Sequence, residues 1–252
     1  MKTRLTQVYI SVFPLLFFGM MLFPSCAQHK NVIQINDTVK VSSKLIHQDD
    51  FGSDLDNWVI EQREGGKAEI KNEKLEIDDA SGCTMWFNKK LNGAIMIEYD
   101  TFIIKNGGPN DRVSDMNCFW MAKDMEHPEN LFEKSLERGG KFSNYDSLRL
   151  YYMGVGGHNN SKTRFRRYVG NGERPLLPEH DFTNPNFLLS PNQVYHIKII
   201  AFNNIIQYYR NGILMVDYDD ESPYTSGYFG FRTVNNHMTI DNFKVSELIT
   251  KN

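Results

Sequence analysis

The sequence of 252 residues is short of cysteine, of charge of one sign and of helical patterning, and each shortage removes a class of function. Three cysteines, Cys26, Cys83 and Cys118, make no disulfide framework in a chain this long. No Cys/His spacing of the zinc-site kind occurs either. Net charge is only -3, with no extended basic or acidic block, so the electrostatic footprint of a nucleic-acid binder is missing. There is no internal repeat and no alternation of strand with helix, which argues against a propeller or a parallel α/β sheet.

What is present begins with the N-terminus. Met1-Lys-Thr-Arg4 is basic, Val8 to Phe23 is mostly apolar, and Pro-Ser-Cys-Ala follows at 24 to 27. Pro14 and Gly19 interrupt the apolar run, which disfavours a permanent transmembrane helix. The pattern resembles a bacterial lipoprotein signal: residues 1–25 would be removed and Cys26 acylated. An ordinary secretory leader with an incidental cysteine is the alternative. Ala27, in place of Asp, favours the outer membrane over the inner, with the domain facing the periplasm and touching the membrane only through its lipid. Residues 26–46 are polar and read as a tether, which leaves 47–248 as the folded domain. Cys83 and Cys118 are equally compatible with a bridge and with buried thiols.

The mature part alternates with the period of strands. Lys67 to Ile77 reads as a hairpin around Asn72 and Glu73, and Ala94 to Ile104 as a long strand. Leu148 to Val155 and Thr163 to Val169 are two more strands, joined by Gly154-Val-Gly-Gly-His-Asn-Asn160. Asn203-Asn204 and Asn211-Gly212 turn the chain between strands near the C-terminus. Only Glu129 to Glu137 has weak helical character, suiting a short helix or an irregular loop. Aromatic residues make up 13% of the chain, enough to furnish a core and also flat faces of the kind that stack on sugar rings.

Three segments resemble the concanavalin A-like (lectin/glucanase) family. They are Asp50-Phe-Gly-Ser-Asp-Leu-Asp-Asn-Trp58 with its following hairpin, Tyr195 to Gly212, and Gly227-Tyr-Phe-Gly-Phe-Arg232 through Val245. The resemblance implies an all-β fold, a two-sheet antiparallel jelly-roll sandwich. Gly108 to Asn117, Gly156 to Asn160 and Thr163 to Arg167 look like segments of uncharacterised lipoproteins from polysaccharide-degrading Gram-negative bacteria, which implies a role in glycan use. Jelly rolls of this kind often hold a structural calcium where their first and last strands meet. Asp49 or Asp50 near the start and Asp241 near the end occupy comparable chain positions, although Asp241-Asn242 also suits an ordinary strand end, and no other cofactor is required.

The stretch from Arg149 to Asp181 concentrates Gly, Arg, His and Asn, and suits an acidic oligo- or polysaccharide. Arg149 and Tyr151 share one strand face, Tyr152 lies on the other, and Arg164 and Arg166 share a face on the next strand. β-Elimination at a uronic acid needs the sugar carboxylate neutralised and a proton moved, work suited to Arg, His and Tyr. The expected catalytic set is therefore His158, Tyr151, Tyr152, Arg164 and Arg166. Arg149, Asn117, Trp120, Asn159, Arg232 and His237 are expected to contact substrate. The alternative is that the arginines form a solvated strand face and Trp120 belongs to the core. Glycoside hydrolysis would need paired carboxylates. Glu98 and Asp100 supply the first spacing of the jelly-roll glucanases, but position 103 is Ile, so the second acid would have to come from elsewhere, as from Asp111, Asp115, Glu173 or Glu179. A non-catalytic carbohydrate-binding protein remains the third reading.

Overall fold

The computed structural model describes residues 32–250. Its strands are β1 (Val32–Gln34), β2 (Lys40–Asp49), β3 (Trp58–Gln62), β4 (Lys67–Ile70), β5 (Leu75–Asp79) and β6 (Cys83–Phe87). Then come β7 (Leu91–Asn92), β8 (Ile95–Ile103), β9 (Met116–Asp124), β10 (Leu148–Gly156), β11 (Lys162–Val169) and β12 (Asp181–Phe182). The last are β13 (Val194–Phe202), β14 (Ile205–Arg210), β15 (Ile213–Asp219), β16 (Ser226–Thr233) and β17 (Asn236–Thr250). One sheet has the order β1-β2-β17-β8-β13-β14-β15, with the β4-β5 hairpin joined to β17. The other runs β12-β11-β10-β9-β16-β6-β3, with β7 on β16. Neighbouring strands are antiparallel, and the two sheets form the expected jelly-roll sandwich.

The alternation of buried and exposed residues along β8 shows why the chain adopts this form. Ile97, Tyr99 and Ile103 face the opposite sheet, while Glu98 and Asp100 face outward. Met85, Phe87, Cys118, Trp120, Met153 and Phe165 meet them from the second sheet. Trp58 stacks on Phe231 at 5.0 Å between ring centres, and its indole N–H donates to Asp49 at 2.9 Å. Cys83 and Cys118 are separate buried thiols, each pushed up by burial, Cys118 to about 12.

The second sheet differs in burying its outer face as well. Trp86, Phe119, Leu150 and Tyr152 form a second apolar layer there, covered by Leu131 and Tyr145. The covering segment contains the 3-10 turn Leu131–Lys134 and the single-turn helix α1 (Ser135–Arg138), as the weak helical pattern suggested. A buried ion pair clamps it down. Arg138 Nη2 donates to Glu61 Oε1 at 2.6 Å, and the Tyr145 hydroxyl donates to the other Glu61 oxygen at 2.6 Å. Gly140 lets the segment lie close: with φ at 76°, a Cβ there would fall 2.4 Å from the Gly82 carbonyl oxygen.

The domain boundary differs from the expected one. Residues 32–46 are not tether: β1 and β2 belong to the first sheet, and β2 pairs with β17 as far as Thr250. Ile35 and Val41 pack against Met96, Ile200, Phe202 and Leu248. The segment looks polar because it lies at a sheet edge, with few of its side chains buried. The signal segment 1–25 and Cys26 lie outside the described residues.

Candidate functional site

β10 and β11 are paired so that Tyr152 stands opposite Arg166 and Gly154 opposite Arg164. Residues opposite one another share a face, so these side chains look out from the second sheet and not into the sandwich. They line a cavity of about 420 Å³ together with His158, Phe142, Tyr168 and Arg174. Phe142 comes from the covering segment and Arg174 from the loop after β11, so the groove is a gap in the outer layer. Lys162 and Asp115 lie at its margin.

The β10-β11 connection is held in an uncommon backbone form. His158, Asn159 and Asn160 all have φ between 51° and 59°. Asparagine tolerates this left-handed region, but histidine adopts it seldom. Asn160 fixes the loop by exchanging hydrogen bonds of 2.8 Å with both the N–H and the carbonyl of Leu189. Ser161 Oγ donates to the His158 carbonyl at 2.8 Å.

The cations differ in how they are balanced. Arg164 makes a two-point pair with Asp181, at 2.9 and 3.2 Å, which holds that carboxyl below its usual range. Lys162 lies 3.5 Å from the same Asp181, and Arg174 lies 3.4 Å from Asp146. Arg166 donates to the Arg174 carbonyl but has no carboxylate partner among the described residues. Burial lowers its pKa from the usual guanidinium value. Arg164 Nη1 also lies 2.9 Å from His158 Nε2. Burial pushes the Tyr152 hydroxyl well above the ordinary tyrosine range and Tyr168 up to about 12, so both are proton-bearing donors near neutrality.

Of the expected catalytic set, the groove thus gathers His158, Tyr152, Arg164 and Arg166, and Tyr151 is excluded. Tyr151 is fully buried on the inner face, where its hydroxyl donates to Asp220 at 2.5 Å. Arg149 shares that face and lies over the Tyr224 ring at 4.6 Å, so it does not join Arg164 and Arg166. Trp120 is completely buried between Tyr151 and Phe165 and offers no face to a ligand. Arg232 is buried beneath the covering segment, donating to the Gly140 carbonyl at 2.7 Å and lying against Phe142 and Tyr145. Asn117 is buried beside Asp115, and Asn159 accepts from Arg112, so neither side chain lines the cavity.

His237 lies outside the groove, on the first sheet. Its ring nitrogens face Asp111 at 2.8 Å and Glu76 at 3.3 Å, joining the 106–115 loop to the β4-β5 hairpin. Asp241 is engaged by Lys74, and Asp50 accepts its own loop's Gly52 N–H at 3.2 Å. A lysine ammonium already balances Asp241, and no group of three or more acidic, His or Cys residues that could hold a metal is found among the described residues. This pair therefore does not fit a calcium ion. Glu98 and Asp100 also face away from the groove, and Asp100 is taken by His196 and Asn242. Sequence reading missed Phe142, Lys162, Tyr168 and Arg174. Lys162 and Tyr168 carried a signal, since both keep the alternation of Arg164 and Arg166 on one strand.

Such a groove can bind an anion on Arg166 and donate a hydrogen bond or a proton from the Tyr152 phenol, whereas the Tyr168 hydroxyl is shut off from solvent. A galectin-like-fold protein from Bacillus subtilis matches with a TM-score of 0.65 at 16% identity, over 82% of this chain and 97% of that one. Porphyranase B from Zobellia galactanivorans matches at 0.55 and 10%, over 83% and 94%. A carbohydrate-binding module, CBM66, from Bacillus subtilis matches at 0.51 and 14%, over 76% and 96%. At these identities the likeness shows the shared fold alone. In sequence, fructan beta-fructosidase of Streptococcus mutans is 29% identical over 121 residues, 44% of this chain but only 8% of the relative. Residues 77–243, which include the whole groove, match the family described as Domain of unknown function (DUF6250), and the chain belongs to that family.

Proposed function

We propose that this is an exported carbohydrate-active protein, anchored in the outer membrane through Cys26, that takes a uronate-bearing oligosaccharide into the Tyr152–Arg166 groove and cleaves it by β-elimination. The observation that carries the reading is Arg166, a half-buried guanidinium without a carboxylate partner among the described residues, set opposite Tyr152. A sugar carboxylate would supply the missing counter-charge. Its neutralisation acidifies the adjacent C5 proton. His158 would accept that proton, the C–H electron pair would form the C4–C5 double bond, and the C4–O bond would break. Tyr152, which burial keeps protonated, would give its proton to the leaving oxygen.

The carbohydrate part of the reading is supported by solved structures of the same fold that carry carbohydrate-binding and porphyranase titles. Elimination is supported over two-carboxylate hydrolysis because Asp115 is the one acid lining the groove among the described residues, and it is engaged by Arg112 and Ser114. One contact favours a second reading, capture without cleavage. Arg164 donates toward His158 Nε2, so that nitrogen has no free lone pair until the contact opens.

The test is incubation with a panel of uronate-containing glycans. New absorbance from an unsaturated product, lost in both Tyr152→Phe and Arg166→Ala, supports elimination. Glycan retardation without unsaturated product or new reducing ends moves the assignment to capture, and absence of both sinks the carbohydrate reading.

A further inference from the structure

A second pocket, of about 230 Å³, lies on the other face of β11. Phe165 and Arg167 alternate with Arg164 and Arg166, so they point toward the opposite sheet, where Tyr218 of β15 meets them. The loop after β11 closes the opening. Arg174 lines the groove on one side, and Pro175, Leu177 and His180 line this pocket on the other. The two sites are thus separated by a strand and do not form one continuous cleft.

The pocket combines aromatic side chains with a polar group that no other described residue engages. His180 is only 7% exposed, but its ring nitrogens are not among the side-chain atoms shut off from solvent, so they open into the pocket, where no other described residue engages them. Its ring meets Phe165 edge-on at 5.0 Å and Tyr218 at 5.7 Å. Ring nitrogens that open into a pocket in this way can exchange water for the hydroxyl groups of a ligand. Burial also lowers the His180 pKa, so at neutral pH the ring offers one donor and one acceptor and no charge.

Charge narrows the ligand further. Arg167 is not free for an anion: its Nε donates to Asp220 at 2.8 Å, and its guanidinium lies over Tyr224 at 4.1 Å. A neutral imidazole matches hydroxyl groups, which both donate and accept. The partly exposed ring of Tyr218 matches the C–H face of a sugar ring. We propose that the pocket between β11 and β15 is a second carbohydrate site, which binds a single neutral monosaccharide residue through His180 and Tyr218, with the buried Phe165 as its floor. It is independent of the elimination chemistry proposed for the groove.

Neutral hexoses, pentoses and deoxyhexoses titrated into the protein with isotope-labelled histidine test this. A ligand of this size is expected to bind at about 1 mM. One neutral sugar should shift the His180 ring signals saturably. Affinity should fall by about tenfold in His180→Phe, as expected for loss of the hydrogen bonds, and stay unchanged in Arg166→Ala. Tyr218→Ala, at a partly exposed position, should weaken binding similarly and serves if His180→Phe fails to fold. The proposal is overturned if no neutral sugar shifts His180, or if affinity survives Tyr218→Ala. A uronate oligosaccharide titrated in parallel reports on the groove, so failure of either site is seen separately.

Discussion

A side chain at Gly154 would occupy the space taken by the Tyr152 hydroxyl: its Cβ would lie 2.3 Å from that oxygen. The two residues are two apart on β10 and share a face, so the missing side chain at 154 lets the phenol lie along the groove floor.

Gly154→Ala is therefore expected to displace the Tyr152 ring without straining the backbone. Overpacking of this kind costs about 1–3 kcal/mol. We expect a folded protein with a lower melting temperature and a loss of glycan turnover or affinity of about tenfold or more, since the reacting group is misplaced. A thermal melt and a glycan assay on the same preparation check this, and unchanged activity would remove Tyr152 from the site.

The two neighbouring tyrosines should separate stability from function. Tyr151→Phe removes the buried hydrogen bond to Asp220 and is expected to destabilise the fold by about 1–3 kcal/mol in urea unfolding, leaving glycan activity intact. Tyr152→Phe is expected to do the reverse. Equal effects of both on activity would contradict the assignment of faces.

Arg138→Ala should be among the most destabilising substitutions, because it leaves Glu61 charged and unpaired beneath the covering segment. Breaking a buried pair in this way costs about 3–5 kcal/mol. Denaturant unfolding measures the loss, and faster amide exchange over residues 131–145 would show that this segment is released first.

Acid should loosen the 106–115 loop through Asp111. Burial works to raise this carboxyl, but N–H donors from Asn106 and Gly108 and the contact with His237 outweigh it and bring it down to about 2. A folded pKa below the unfolded one contributes stability that is complete above about pH 4 and is lost as pH falls toward 2. Asp111→Asn should flatten the stability profile across that interval by on the order of 2 kcal/mol. A profile with the same slope in both proteins would show that other carboxylates carry the acid sensitivity.

Strand alternation made much of this fold legible in advance. The β4-β5 hairpin, β8, the β10-β11 pair and the C-terminal strands stand where their periodicity puts them, because a half-buried strand must alternate to bury one face. β1 and β2 were illegible as strands because an edge position buries few of their side chains. Trp120 was ambiguous for the opposite reason. Both faces of β9 are covered, so alternation there carries no information about inside and outside.

Residue order alone determined that this chain is a β sandwich and that Arg164 and Arg166 share a face with Tyr168. It could not determine which face of β10 joins them. That depends on register across the hairpin, and shifting the register by one residue exchanges Tyr151 for Tyr152. The tertiary structure also decided which cations are free. Arg164 finds Asp181 across β11 and β12, Arg232 disappears beneath Gly140, and Arg166 is left facing the groove without a carboxylate among the described residues. Charge balance at a site is a sum over neighbours brought from distant parts of the chain, and only the folded arrangement places those neighbours within reach of one another.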